Sequence, residues 1–214
     1  MTSSRRQILD RLQRDERPFA AVEPPSSYRP MVPLNDLSPA ALHSHFVTEA
    51  QKAACVVYQP ASNGEAVDTI LQVIGEDQTI SCWAMDQIPL PGLESALEQA
   101  GIVRVGQDSS VRVGLTGADA ALAATGSLVL CSGAGRYRAA SLLPPVHVAV
   151  VTTSQILPDL EHWWAQQRAG GLEQTRQASN IVVVTGPSRT ADIAMQLVMG
   201  MHGPRELHIV LIEA

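Results

Sequence analysis

Apolar residues recur along this chain in two alternating patterns. Residues 40–52 place Leu42, Phe46 and Val47 on one helical face. Residues 62–74 place Val67, Ile70, Leu71 and Ile74 at i, i+3, i+4 and i+7 behind a Ser62 cap. Short uninterrupted apolar runs at 53–58, 79–83 and 102–105 read as strands buried on both faces, and residues 93–100 predict a helix closed by Gly101. The second half predicts strands at 111–115, 127–131, 147–152, 181–185 and 208–212. Between them it predicts a short Ala-rich helix over 118–124 and helices over 155–168, which holds Trp163 and Trp164, and 190–200. This alternation predicts an α/β fold, a mainly parallel sheet covered by helices, with the last strand sewn into it.

The amino-terminal stretch differs. Residues 3–14 carry Ile8, Leu9 and Leu12 at helical spacing behind Ser3 or Ser4, and residues 17–39 hold six of the 14 prolines. Proline lacks the N–H that helices and central strands need, so 17–39 predicts an extended arm. The expected organisation is a helix and Pro-rich arm over 1–39, then one α/β domain over 40–214.

Composition narrows the function classes. The net charge is −6 and aromatics make up 4% of 214 residues, which disfavours a nucleic-acid surface. No apolar run approaches the roughly 20 residues of a spanning helix, and residues 1–15 lack a signal-peptide core. Cys55, Cys82 and Cys131 are far apart and show no metal-ligand spacing. They are expected to behave as buried hydrophobes in a reducing cytoplasm, with no metal site. Lys52 is the one lysine beside 14 arginines, so a lysine-centred mechanism has a single candidate.

Four segments carry candidate chemistry. Gly186, Pro187, Ser188, Arg189, Thr190 and Asp192 follow an apolar strand and open the expected 190–200 helix. A helix start suits an anion, with Arg189 adding a two-pronged contact. Thr116, Gly117 and Asp119, followed by Thr125 and Gly126, pack a strand, a carboxylate-bearing turn and a short helix into a few residues; Asp119 is a ligand or acid/base candidate. Gly133 and Gly135 precede Arg136 and Arg138 in what reads as a mobile loop over a site. His202 and Gly203 sit in a hard turn, where His202 is a candidate proton carrier. His147 opens a strand and reads as structural. His43 and His45 lack further ligands for a metal.

Three segments, VGLTGADAALAATGSLVL (113–130), GRYRAASLLPPVHVAVV (135–151) and GPSRTADIAMQLVMGMHGPRELHIVLI (186–212), resemble the LUD domain of the lactate-utilisation protein C family. The resemblance is close over the last 100 or so residues and general before them. It rests on Thr116, Asp119, Thr125, Gly126, Arg136, Gly186, Pro187, Ser188, Arg189, Thr190, Asp192, His202, Gly203 and Pro204, none of which brings an established catalytic role. It implies a three-layer α/β/α sandwich of the NagB/RpiA/CoA-transferase-like type. It also implies cytoplasmic participation in oxidising L-lactate to pyruvate beside iron–sulfur partner proteins, which would carry the redox cofactors, with none in this chain. Ala124 and Ala194 stand where relatives often have glutamate, and relatives in the wider fold use a glutamate as acyl acceptor. Their absence weakens a CoA-transferase reading.

Two functions remain open at this stage. One is an accessory or ligand-binding subunit of a lactate-oxidising system, holding a small anionic metabolite at Gly/Arg-rich loops. The other is a stand-alone isomerase or transferase acting on a small phosphorylated or carboxylated substrate, for which Asp119 and His202 are the catalytic candidates. Whether the chain forms a homo-oligomer is left open.

Overall fold

A computed structural model describes residues 4–14, 31–106, 110–190 and 198–213. Helices form where the sequence places caps. α1 spans Ser4–Arg14, α2 Pro39–Lys52 and α3 Asn63–Ile74. Ser38 accepts the Ala41 N–H ahead of α2, with Pro39 at its first turn, where the missing N–H costs nothing. Ser62 accepts the Glu65 N–H, and Glu65 in turn accepts the Ala61 N–H. Residues 31–38 form no regular helix or strand, and the rest of the arm, 15–30, lies outside the described residues.

The strands, in chain order, are β1 Val56–Tyr58, β2 Thr79–Cys82, β3 Val103–Val105, β4 Val113–Thr116, β5 Ala120–Leu122, β6 Ser127–Ser132, β7 Val146–Thr152, β8 Ile156–Leu157, β9 Asn180–Val184, β10 Arg189–Thr190, β11 Val198–Met199 and β12 Glu206–Ile212. Six of them form an all-parallel sheet in the order β1-β12-β7-β4-β2-β3. The last strand is central, as expected. β1 and β3 are the edge strands, with Val56 44% and Val103 56% exposed, so the expectation of burial on both faces fails at both.

The remaining helices are α4 Leu93–Gln99, α5 Arg138–Leu142, α6 Leu160–Ala169 and α7 Glu173–Gln177. The chain runs β2–α4–β3 toward one edge of the sheet, and from β4 through α5 to β7 and on to β12 toward the other. Right-handed crossovers then put α3 and α4 on one face and α5 on the opposite face, giving a layered α/β/α arrangement. The direction of winding reverses between the neighbouring strands β2 and β4. The carboxyl ends of such a pair are where open α/β sheets bind ligands.

A second sheet, in the order β8-β5-β6-β9, was not expected from the sequence. Its inner face adds Ala121, Leu128 and Leu130 to the main core, and its outer face puts Ala120, Leu122, Val129 and Cys131 under Trp163. It corrects two expectations, and a separate two-stranded ribbon corrects a third. The Ala-rich helix over 118–124 is instead β5, buried on both faces between β6 and β8. Alanine's helix preference of a few tenths of a kcal/mol yields to pairing with two partner strands and burial of both faces. The helix expected over 155–168 starts at Leu160, because residues 156–157 pair as β8 and Asp159 caps the helix through the His162 N–H. The helix expected over 190–200 is replaced at both ends by β10 and β11, which pair antiparallel; residues 191–197 lie outside the described residues.

α5 lies against the sheet at Gly114. A Cβ there would sit 1.8 Å from the Ala140 carbonyl oxygen, a backbone group with nowhere to move. We expect Gly114→Ala to cost about 1–3 kcal/mol, read from the urea midpoint. Gly64→Ala, whose Cβ would meet nothing nearer than 3.8 Å in the first turn of α3, should leave the midpoint unchanged or raise stability by less than ~1 kcal/mol.

Candidate functional site

Three loops meet beyond the carboxyl ends of β2, β4 and β6. Residue Trp83 and a 3-10 turn, Met85–Gln87, follow β2. After β4 the chain passes close to that turn: a Cβ on Gly117 would lie 2.5 Å from the Gln87 carbonyl oxygen, so glycine is required. After β6, residues 133–136 close on themselves through Gly133 N–H to Arg136 O and Arg136 N–H to Gly133 O, at 3.1 and 3.0 Å. Gly135, at φ +71°, accepts the Ala84 N–H at 2.7 Å. The loop expected to be mobile is thus pinned by backbone bonds to the turn after β2, and α5 begins directly behind it.

Asp119 lies at the centre of this convergence, its side chain only 3% exposed. Oδ2 accepts the Cys131 N–H at 2.6 Å. Oδ1 accepts Arg136 Nη1 at 2.6 Å and the Gln174 side-chain amide of α7. Both carboxylate oxygens are therefore in use, and Asp119 acts as an anchor for Arg136. The Arg136 guanidinium, 27% exposed, also donates Nε to Gln87 Oε1 at 2.7 Å and lies 5.4 Å from the Trp83 ring centroid. The Trp83 indole N–H donates to the Tyr137 carbonyl at 3.2 Å. Nη2 takes part in neither the Asp119 nor the Gln87 bond. A cavity of about 520 Å³ opens here, lined by Gln87, Cys131, Ser132, Arg136, Glu173, Gln174 and Gln177 among others. Burial, reinforced by the Asp119 carboxylate, pushes the Cys131 thiol up to about 12. A thiol so protonated at neutral pH is a poor nucleophile. Burial raises Cys55 to about 11 and Cys82 to about 12, and all three cysteines are buried and unpaired, as the sequence suggested.

The residues singled out from the sequence do not form one site. Thr116, Gly117, Asp119 and Arg136 gather at the switch point, with Thr116 fully buried and its Oγ1 2.9 Å from His147 Nε2. Thr125 and Gly126 lie at the other end of the β5–β6 hairpin, about 17 Å away along β6 at ~3.3 Å per residue. There Thr125, Ser127 and Thr185 form a hydroxyl chain with 2.7 Å links, and the Gly126 backbone presses on Ala50 of α2.

Gly186, Pro187, Ser188 and Arg189 belong to that second end. Gly186 has φ +75°, and a Cβ would lie 2.2 Å from the Ala53 carbonyl oxygen at the carboxyl end of α2. Arg189 Nη2 donates to that same carbonyl at 2.8 Å, placing a cation where the helix dipole is negative. The Ser188 N–H donates to Pro204 O and the Gly200 N–H to Ser188 O, both at 2.8 Å, and Gly203 packs on Ser188, so the two family motifs lock together. His202 is exposed. The helix start expected at Thr190 is absent, because Thr190 is in β10, and Asp192 and Ala194 lie outside the described residues. Sequence reasoning missed Trp83, Gln87 and Gln174. A residue directly after β2 could have been flagged had the strand order been known; nothing local signals Gln174. Among the described residues no three His, Cys, Asp or Glu side chains gather to hold a metal ion, and no helix is long and apolar enough to cross a membrane.

His147 is wholly buried, and its Nδ1 has no hydrogen-bond partner. Burial lowers its pKa from 6.5 to about 4, with His208 contributing further. The unfolded chain therefore takes up the proton first. Stability is complete above pH 6.5 and falls as pH drops toward 4, by up to about 1.4 kcal/mol per unit and about 3 kcal/mol in all. His147→Gln should flatten this slope relative to the parent protein, measured as urea midpoints from pH 7.5 to 4.5.

Comparison with known proteins adds the following. The LUD domain family model matches residues 106–212. Lactate utilization protein C of Halalkalibacterium halodurans is 30% identical over 158 residues, covering 70% of this chain and 68% of that protein. Lactate utilization protein C of Macrococcus caseolyticus is 38% identical over 101 residues, 47% of this chain and 44% of that protein. The chain spans less than half the length of several of the curated relatives it matches. A crystal structure of a DUF162 family protein from Deinococcus radiodurans shares the fold, with a TM-score of 0.61 at 21% identity over 83% of this chain and 99% of that one.

Proposed function

This chain belongs to the LUD domain family, and from that premise we propose that it serves lactate utilization as a ligand-binding, accessory subunit of a lactate-oxidising system. The observation that carries the ligand-binding part is Arg136. Its guanidinium is oriented by Asp119 and Gln87 at the mouth of the 520 Å³ cavity, at the sheet's switch point. A guanidinium so oriented has an N–H left for a carboxylate, and the surrounding Gln87, Gln174 and Gln177 amides supply neutral donors. The ligand is a small monocarboxylate of the lactate or pyruvate type. Asp119 offsets one positive charge and Glu173 adds a negative one, which disfavours a doubly charged phosphate.

The electron carriers of the reaction belong to iron–sulfur partner proteins in the cytoplasm. Thr125, Gly126, the segment 186–190, His202 and Gly203 serve the α2 corner and the joining of the two motifs. The alternative of a stand-alone isomerase or transferase would need a proton carrier in the cavity. Asp119, with both oxygens engaged, and His202, exposed in another loop, do not supply one.

We expect Arg136→Gln to weaken pyruvate or L-lactate binding at least tenfold by calorimetry, while Arg189→Ala stays within twofold of the parent. Equal affinities for Arg136→Gln and the parent would exclude the site. Deleting the gene from its source organism should abolish growth on L-lactate; unimpaired growth, with no second copy present, would exclude the lactate role. Turnover of either acid by the purified chain alone would favour the enzyme reading.

A further inference from the structure

A second cavity, about 730 Å³, opens at the carboxyl ends of β7 and β12, and the ligand reading leaves it unused. Met85, Ile88, Leu90 and Ile212 give it apolar walls. Asp86, Glu94 and Glu213 give it three carboxylates, and its lining contains no basic side chain. Glu94 is paired with Arg104 at 2.8 Å, while Asp86 and Glu213 have no ion-pair partner among the described residues.

α1 has the complementary chemistry. It carries Arg5, Arg6, Arg11 and Arg14 against a single Asp10, in a chain whose net charge is −6. Ile8 and Leu9 are 60% and 47% exposed, and Arg5, Ile8 and Leu9 share one helical face while Asp10 lies about 200° around from Ile8. An isolated 11-residue helix is marginal in water, so a helix of this length gains by burying its apolar face. The 24 residues between α1 and α2 set an upper bound of about 80 Å, at ~3.3 Å each, on the distance between the two helices.

The geometry points to this chain's own α1 as the occupant of the groove at the carboxyl ends of β7 and β12. Ile8 and Leu9 sit on its apolar wall, and Arg5 faces Asp86 and Glu213. The docked helix closes that edge of the sheet. It also rests on Met85 and Asp86, the turn whose third residue, Gln87, holds Arg136. The inference does not depend on which ligand the switch-point cavity takes.

A nitroxide on Gln7→Cys tests this in the full chain, because the three native cysteines are buried. Docking broadens the amide signals of residues 85–94 and 212–213 in isotope-labelled protein, independently of protein concentration. Arg5→Glu relieves the broadening at least twofold, and adding Glu213→Arg to that variant restores it. The inference is overturned if those signals are untouched or if the charge reversal does not restore contact. It is also overturned if broadening grows with concentration and appears in labelled chains mixed with separately spin-labelled ones, which would make a second copy the occupant.

Discussion

A carboxylate taken out of water must be surrounded by donors, and Asp119 imposes that condition on half of this molecule. Left unpartnered at 3% exposure, it would cost several kcal/mol, and β6, the Arg136 loop and α7 each supply a donor that offsets that cost. The requirement brings the carboxyl ends of β2, β4 and β6 to one place. Gly117 and Gly135 are the positions where backbones come too close for a side chain or turn through positive φ. The same condition orients Arg136, because a guanidinium bonded along Nε and Nη1 has little freedom left.

Much of the main sheet was legible in the sequence. The helix over 40–52 follows from its apolar spacing, the helix over 62–74 from spacing and its Ser62 cap, and the strands of the parallel sheet from their apolar runs, all local signals; the Ser38 cap emerged only with the structure. What was not legible depends on non-local pairing. Residues 120–122 are alanine and leucine with no β-branched side chain, and they become a strand only because β6 and β8 flank them. Residues 190–200 have a helical hydrophobic spacing, yet Thr190 and Val198–Met199 form a ribbon. Gly200 contributes, with φ +74° and Arg205 packed where its side chain would be.

The family motifs divide by location. Thr116, Asp119 and Arg136 lie where ligands bind in such sheets. Gly186, Ser188, Arg189 and Gly203 close the carboxyl end of α2 and join loops. Linear proximity to glycine and arginine looked the same in both groups. Only the run of β6, which carries its two termini to opposite ends of the second sheet, separates them.

The Met85–Gln87 turn has a neighbour on each side: Met85 and Asp86 line the larger cavity, and Gln87 lines the smaller one. A single partition three residues thick thus stands between two chambers. It is bounded by Gly117 pressing on the Gln87 carbonyl and by Gly135 bonded to Ala84. A displacement of that turn reshapes the lining of both clefts. The shape of each cleft is therefore linked to that of the other through one short turn.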